Sequence, residues 1–208
     1  SGSMYKFKGE LISIAKPELF EAFDEVIMMT YLFEGQFQKA YLDIYGFEYT
    51  KCGVDTSDGF KFTDKPDSPP TVDYHELIHI IEDDGLNEIG KSPHNLCKSW
   101  FMRRGRYNPD IVKLRGNMQK VFRRMGTPVP ADKQLWTTYK CAQYKLLGDR
   151  GRYKSSFLHL NARATNEYRD RNVVLYLANI YIDPVLKEFF ESKGAAVDED
   201  LFALSELL

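Results

Sequence analysis

A strand that ends abruptly in polar side chains constrains the fold of this chain more than any other stretch. Residues 155–172 begin with the apolar, β-prone Phe157, Leu158 and Leu160. The next side chains carry amides, hydroxyls and guanidinium groups: Asn161, Arg163, Thr165 and Asn166, then Arg169 and Arg171. This arrangement is typical of α/β proteins, because ligands bind outside the carboxyl ends of their parallel strands. The alternative is a strand that simply runs into a polar turn.

The rest of the chain predicts the same fold class. Two stretches have the order strand, helix, strand that parallel sheets require: 25–30, 34–45 and 47–54, then 134–138, 139–147 and 156–160. Between them, glycine and prolines predict a loop over 55–71, and periodic apolar residues predict helices over 73–83, 95–104 and 110–125. Residues 172–181 fit a strand or a helix, and 184–192 and 198–207 fit helices. We therefore expect an α/β fold, a parallel sheet flanked by helices, with an inserted helical region.

These elements suggest a division of the chain. Ser1, Gly2 and Ser3 resemble a cloning scar. The first strand-helix-strand part is expected over 4–54, and a loop with a basic helical insertion is expected over 55–130. The remainder of the α/β domain is expected over 131–208. A length of 208 residues fits one domain or slightly more. No run approaches the roughly 18 to 20 apolar residues that span a bilayer, so we expect no membrane partner.

The three cysteines, Cys52, Cys97 and Cys141, are odd in number and far apart. Their spacing argues against a disulfide framework and against a CxxC metal site. The expected compartment is therefore a reducing cytoplasm.

Charge is distributed very unevenly along the chain. Residues 101–154 contain 14 basic and 3 acidic side chains, a net charge of +11, whereas the remainder carries −13. A basic block of this kind is suited to the phosphate backbone of nucleic acid. The alternative is a pair of solvated helices.

One motif predicts a different chemistry. His75, Glu76 and His79 match the HExxH pattern of zinc hydrolases, in which two imidazoles on one helical face bind the metal and the glutamate acts as base. The metzincin extension would place another histidine at position 85, which is Gly85. The alternative is an amphipathic helix with two surface histidines, and we assign no metal ligand. A GxxxxGK[ST] loop is also absent from the sequence, so this chain cannot be a self-sufficient P-loop ATPase.

Several stretches resemble helicase-type proteins of bacteriophages and mobile elements, a divergent branch of the superfamily two DNA/RNA helicases. The resemblance is thin, extends over most of the chain and is carried by five segments: MTYLFEGQ (29–36), LWTTYK (135–140), NARATNEY (161–168), YLAN (176–179) and the tail 197–208. Residues 28–30 are similar to helicase motif three, 135–140 to motif four and 161–168 to motif five. The glycine and aspartate usual in motif five are missing, as are motifs one and two and the Gln…Arg…Arg motif.

The resemblance implies a RecA-like second domain of an ATP-dependent motor. ATP and Mg²⁺ would then bind only in the full-length protein, next to a preceding RecA-like domain, and the expected location is the cytoplasm of a bacterial host. This chain would be inactive alone, would contain no catalytic residue, and would grip the DNA or RNA backbone. The predicted contacts are polar residues at strand ends and basic residues of the helical insertion: Thr137, Thr138, Lys140, Asn161, Arg163, Thr165, Asn166, Arg123 and Arg124. A zinc hydrolase or a non-catalytic interaction domain are the alternatives.

Overall fold

The computed structural model describes residues 2–30, 32–55, 57–64, 74–92, 94–124, 128–160, 162 and 166–207. These residues form two compact units, one comprising 82–181 and the other comprising 1–81 together with 182–208. The boundaries predicted near residues 54 and 130 do not coincide with this division.

The described strands and helices are short, with one exception. The strands are β1 (Ser3–Phe7), β2 (Glu10–Ile14), β3 (Gly53–Asp55), β4 (Lys61–Thr63), β5 (Gln134–Thr138), β6 (Phe157–His159) and β7 (Val173–Tyr176). The helices are α1 (Glu18–Glu21), α2 (Phe37–Tyr45), α3 (Tyr74–Leu77), α4 (Asp84–Asn87), α5 (Lys98–Met102), α6 (Pro109–Arg124), α7 (Lys140–Leu146), α8 (Pro184–Ser192) and α9 (Glu199–Leu207). The 16 residues of α6 make it the longest of the described helices.

The unit 82–181 is built on a parallel sheet with β5 at its centre. The strand order is β6-β5-β7, and both neighbours pair with β5 in parallel. Trp136, in the middle of β5, is 0% exposed and packs in one core with residues of α5, α6 and α7. A parallel sheet flanked by helices confirms the predicted α/β fold class.

Helix α6 covers this core with a regular apolar stripe. Proline stands at its first position, where the missing N–H costs nothing. The stripe is buried at intervals of three and four residues, as the sequence predicts: Ile111, Leu114, Met118, Val121 and Phe122.

The other unit has an aromatic core. An antiparallel hairpin joins β1 to β2 through Lys8 and Gly9, both with positive φ (47° and 87°), the conformation that tight hairpins require. Phe189 of α8 packs against Tyr5 of β1 at a ring-centroid distance of 5.3 Å. Helix α2 ends at Gly46, whose φ of 67° fits a left-handed C-terminal cap.

The parallel strand-helix-strand unit predicted over residues 25–54 is wrong. Helix α2 forms, but residues 25–30 contain no strand, and β3 pairs with β4 as an antiparallel hairpin. Met29 is 87% exposed and Ile27 is 53% exposed, whereas Met28 packs against the aromatic core. A short apolar run satisfies a strand pattern, but here only one of its side chains is turned towards the core.

Candidate nucleic-acid interface

The strand order places a topological switch point at the centre of the parallel sheet. The chain leaves β5 through α7 to reach β6 on one side and later returns to form β7 on the other side. In open α/β sheets, ligands bind in the crevice outside the carboxyl ends of the strands at such a point. A ligand also needs polar side chains that solvent can reach, so the two edges of the sheet differ in what they can bind.

At the carboxyl edge, two polar side chains form hydrogen bonds with backbone carbonyls of the protein. The hydroxyl of Thr138 donates a hydrogen bond of 2.8 Å to the carbonyl of Leu177, and the hydroxyl of Tyr139 donates one of 2.8 Å to the carbonyl of Asn179. These bonds tie the ends of β5 and of the segment after β7 together.

Thr137 and Thr138, both predicted as nucleic-acid contacts, are buried. Thr138 is 0% exposed and its hydroxyl is committed to Leu177, while Thr137 is 9% exposed. Among the described residues, the buried hydroxyl of Thr137 has no hydrogen-bond partner. A buried hydroxyl cannot reach a phosphate oxygen, so both threonines have a structural position at this edge.

The other predicted contacts at the carboxyl edge fall into two groups. Lys140, the first residue of α7, and Asn166 are both exposed. Asn161, Arg163 and Thr165 lie outside the described residues, and their contribution stays a prediction.

Part of the basic block is internal. The guanidinium of Arg106 donates to the carbonyls of Tyr144 and Leu147, and that of Arg115 donates to the carbonyl of Lys145 at 3.1 Å. The Lys145 ammonium, 4% exposed, donates to the carbonyls of Phe101 and Arg104. These cations satisfy the unpaired carbonyls at the ends of α7 and α5, where the helix dipole also favours positive charge.

Four basic residues precede the three strands of the parallel sheet. Lys133 immediately precedes β5, Arg152 and Lys154 precede β6, and Arg171 precedes β7. The amino ends of parallel strands lie at one edge, so these residues share that edge. The backbone N–H of Asn172 donates to the carbonyl of Lys133 at 3.1 Å, which joins the entries to β7 and β5 directly.

Tyr153 fixes the geometry of this edge. Its ring is 2% exposed and packs 5.4 Å from the ring of Phe122, near the end of α6. Burial raises the pKa of Tyr153, and the Arg123 guanidinium beside its hydroxyl acts in the opposite direction. Arg123 is therefore adjacent to the loop that carries the exposed Arg152 and Lys154.

The loop before β6 carries a further cation, Arg150, in a tight turn. Arg150 and Gly151 both have positive φ, 57° and 72°, which reverses the chain within two residues. Arg150 is exposed. Asp132 is an exposed acid near the same edge, so the local field there is basic but not uniformly so.

The predicted site residues thus divide between two edges. Arg123 and the backbone of Arg124 precede β5, whereas Lys140 follows it. Arg123 lies beside Tyr153 at the amino edge, whereas Lys140 follows the carboxyl end of β5, so these two residues belong to different edges of the sheet. The side chain of Arg124 lies outside the described part of the chain.

Sequence reasoning counted Arg150, Arg152 and Lys154 in the basic block and noted Arg171 in the polar stretch after residue 160, but it selected none of the four as contacts. The signal that could have found them was their position just ahead of strands that share one edge.

The helix that a zinc site at the HExxH motif would require is too short. Helix α3 ends at Leu77, so His79 lies beyond it and the i, i+4 helical face that HExxH needs is not formed. The side chain of His75 lies outside the described residues. The described part of the chain contains no cluster of three or more His, Cys, Asp or Glu side chains able to hold a metal ion.

The parallel sheet, its switch point and its flanking helices define a Rossmann-like α/β protein. Residues 72–208 match the family described as the YonV C-terminal Rossmann-like domain, and the chain belongs to this family. It is 34% identical over 195 residues to the SPbeta prophage-derived uncharacterized protein YonV of Bacillus subtilis (strain 168). The match covers 92% of this chain and 46% of YonV, so the chain spans about half the length of this curated relative.

No solved structure matches the chain. Among the described helices, none is both long and apolar enough to cross a bilayer. The relative fits the predicted phage origin, and a helicase identity is not part of what these matches show.

Proposed function

We propose that this chain binds the phosphate backbone of DNA or RNA through the amino edge of its parallel sheet. The observation that carries the proposal is the convergence of Arg123, Arg150, Arg152 and Lys154 around the buried ring of Tyr153. Arginine and lysine side chains on an exposed surface contact phosphate oxygens without reading sequence.

The charge of the whole unit supports the proposal. Residues 82–181 contain 19 basic and 9 acidic side chains, a net charge of +10, whereas the other unit contains 9 basic and 21 acidic side chains, a net charge of −12. The charge asymmetry of the sequence therefore follows the division into units. Solvated helices alone do not account for it, because three of the exposed cations, Arg150, Arg152 and Lys154, lie in the loop just ahead of β6.

For the longer protein, we extend the proposal to a helicase-type motor. In that protein, ATP and Mg²⁺ would bind a preceding RecA-like domain, and this chain would supply nucleic-acid contacts. Support comes from the resemblance of residues 135–140 and 161–168 to helicase motifs and from the prophage relative, which extends well beyond the matched region. The cytoplasm of a bacterial host is the compartment in which such a motor would act.

The backbone-binding proposal is tested by fluorescence anisotropy with labelled DNA between about 50 and 200 mM salt. Arg123→Glu with Arg152→Glu is expected to lower affinity more than tenfold and to reduce the salt slope by about two, since each phosphate contact contributes about 0.9. Lys98→Glu with Lys140→Glu is the matched control: both lysines are exposed, both lie at helix starts, and the net charge changes equally.

The control pair is expected to change affinity by less than threefold and to leave the slope near the wild-type value. A larger loss for the control pair than for the arginine pair would place the contacts at the carboxyl edge instead. Wild-type protein that binds no nucleic acid near 50 mM salt would overturn the proposal altogether.

A further inference from the structure

Two tyrosines of the basic unit expose their rings to solvent. Tyr107, in the turn between α5 and α6, is 85% exposed, and Tyr144, on α7, is 57% exposed. A large apolar ring in contact with water gains nothing for stability. Both rings lie in a unit whose net charge is +10.

The backbones beneath the two rings are tied together. The Arg106 guanidinium donates to the carbonyl of Tyr144, and Tyr107 is the next residue, its Cα about 3.8 Å from that of Arg106. Arg115 adds a second link, because its guanidinium donates to the carbonyls of Arg106 (3.5 Å) and Lys145 (3.1 Å). The backbone segments that carry the two tyrosines are therefore linked by two arginine side chains.

An internal cation lies near one of these rings. The Lys145 ammonium lies 5.5 Å from the centroid of the Tyr144 ring. Arg103, at the end of α5, is exposed to solvent.

We infer that Tyr107 and Tyr144 form a stacking platform for the unpaired bases of single-stranded nucleic acid. Aromatic rings beside a backbone-binding basic surface bind single strands, since each base offers a π-face that a duplex keeps inside its stack. Tyrosine suits this role because it has only two side-chain torsions to fix. The inference rests on the proposed function and narrows its ligand class.

The inference is tested by measuring two affinities by fluorescence anisotropy. One is for a single strand of about 15 thymidines, and the other is for a duplex of equal length. Tyr107→Ala with Tyr144→Ala is expected to lower single-strand affinity at least about tenfold, the loss of one or two stacked bases. Duplex affinity and the salt slope are expected to stay near the wild-type values, because neither ring carries charge.

Two controls separate stacking from general surface effects. Tyr107→Phe with Tyr144→Phe keeps both rings and is expected to bind single strands within about twofold of wild type. Phe60→Ala removes an equally exposed ring, 87% exposed, from the acidic unit and is expected to change nothing. Unchanged melting temperatures would exclude misfolding as the cause of any loss.

The outcomes distinguish this inference from the proposed function. If the alanine pair leaves single-strand affinity unchanged, or lowers single-strand and duplex affinity equally, the platform is refuted while backbone binding stands. If the wild-type protein binds neither ligand, both the platform and the backbone-binding proposal fail.

Discussion

The indole nitrogen of Trp136 donates a hydrogen bond of 2.7 Å to the carbonyl oxygen of Tyr153. Both residues are almost fully buried, at 0% and 2% exposure. The bond connects the central strand to the loop that carries Arg152 and Lys154, so the core of the sheet fixes where these cations point. The proposed contact surface is therefore anchored on the most buried residue of β5 and not on a free loop.

Trp136→Phe should destabilise the protein by about 0.5 to 1.5 kcal/mol beyond the cost of the smaller ring. The carbonyl of Tyr153 then keeps only its longer hydrogen bond, 3.3 Å, from the backbone N–H of Ser156. Trp100→Phe is the matched control: among the described residues, the buried indole nitrogen of Trp100 has no hydrogen-bond acceptor. Urea denaturation measures both free energies of unfolding. Equal losses for the two variants would contradict this account of the bond.

Lys145 is the clearest case of a cation used inside the fold. Lys145→Met should lower the free energy of unfolding by about 2 kcal/mol. The reason is that the carbonyls of Phe101 and Arg104 lose the charged hydrogen-bond donor that they share. Lys140→Met, exposed on the same helix, should change stability by no more than about 0.5 kcal/mol. Thermal denaturation compares the two, and a Lys145→Met protein as stable as Lys140→Met would show that those carbonyls need no cation.

Periodicity explains which elements could be predicted from the sequence. The five-residue strand Gln134–Thr138 and helix α8 have the predicted bounds, and α6, which has a regular apolar stripe, differs by one residue at each end. The strand predicted over 25–30 does not form, and of the helix predicted over 73–83 the described part is helical only over Tyr74–Leu77. Apolar residues alone do not say which of them face a core.

The candidate site was harder to predict because it depends on topology. From the sequence, a threonine that contacts phosphate cannot be told from one such as Thr138, whose hydroxyl forms a buried hydrogen bond with the carbonyl of Leu177. The direction and pairing of the strands decide which polar residues share an edge, and single-residue patterns do not show them. The cations ahead of the strands were visible in the basic block, but only the parallel pairing of β5 with β6 and β7 brings them together.

Two glycines should respond in opposite directions to alanine. A Cβ on Gly35 would lie 2.5 Å from the backbone carbon of Leu201 and 2.7 Å from the nitrogen of Phe202. Gly35→Ala should therefore cost more than about 1 kcal/mol, as overpacking against backbone does. A Cβ on Gly116, inside α6, would have no described atom of another element within 4 Å, so Gly116→Ala should stabilise by up to about 1 kcal/mol. Differential scanning calorimetry reads both shifts, and a harmless Gly35→Ala would refute the close approach.

Stability should fall between pH 10 and pH 12 partly through Tyr139. Burial raises the pKa of Tyr139 to about 12, and its hydroxyl donates to the carbonyl of Asn179. An unfolded tyrosine titrates near pH 10. Between these values the unfolded chain has released a proton that the folded chain retains, so the stabilisation is complete below pH 10 and is lost as the pH rises through 12.

Tyr139→Phe should therefore flatten the dependence of stability on pH in that range. The slope should not vanish, because burial also raises the pKa of Tyr41 and of Tyr153. Urea denaturation at pH 9, 10 and 11 measures the slope for each protein. Parallel curves for wild type and Tyr139→Phe would mean that Tyr139 titrates equally in the folded and unfolded states. The hydrogen bond from the half-buried hydroxyl of Tyr139 to the carbonyl of Asn179 would then be wrong.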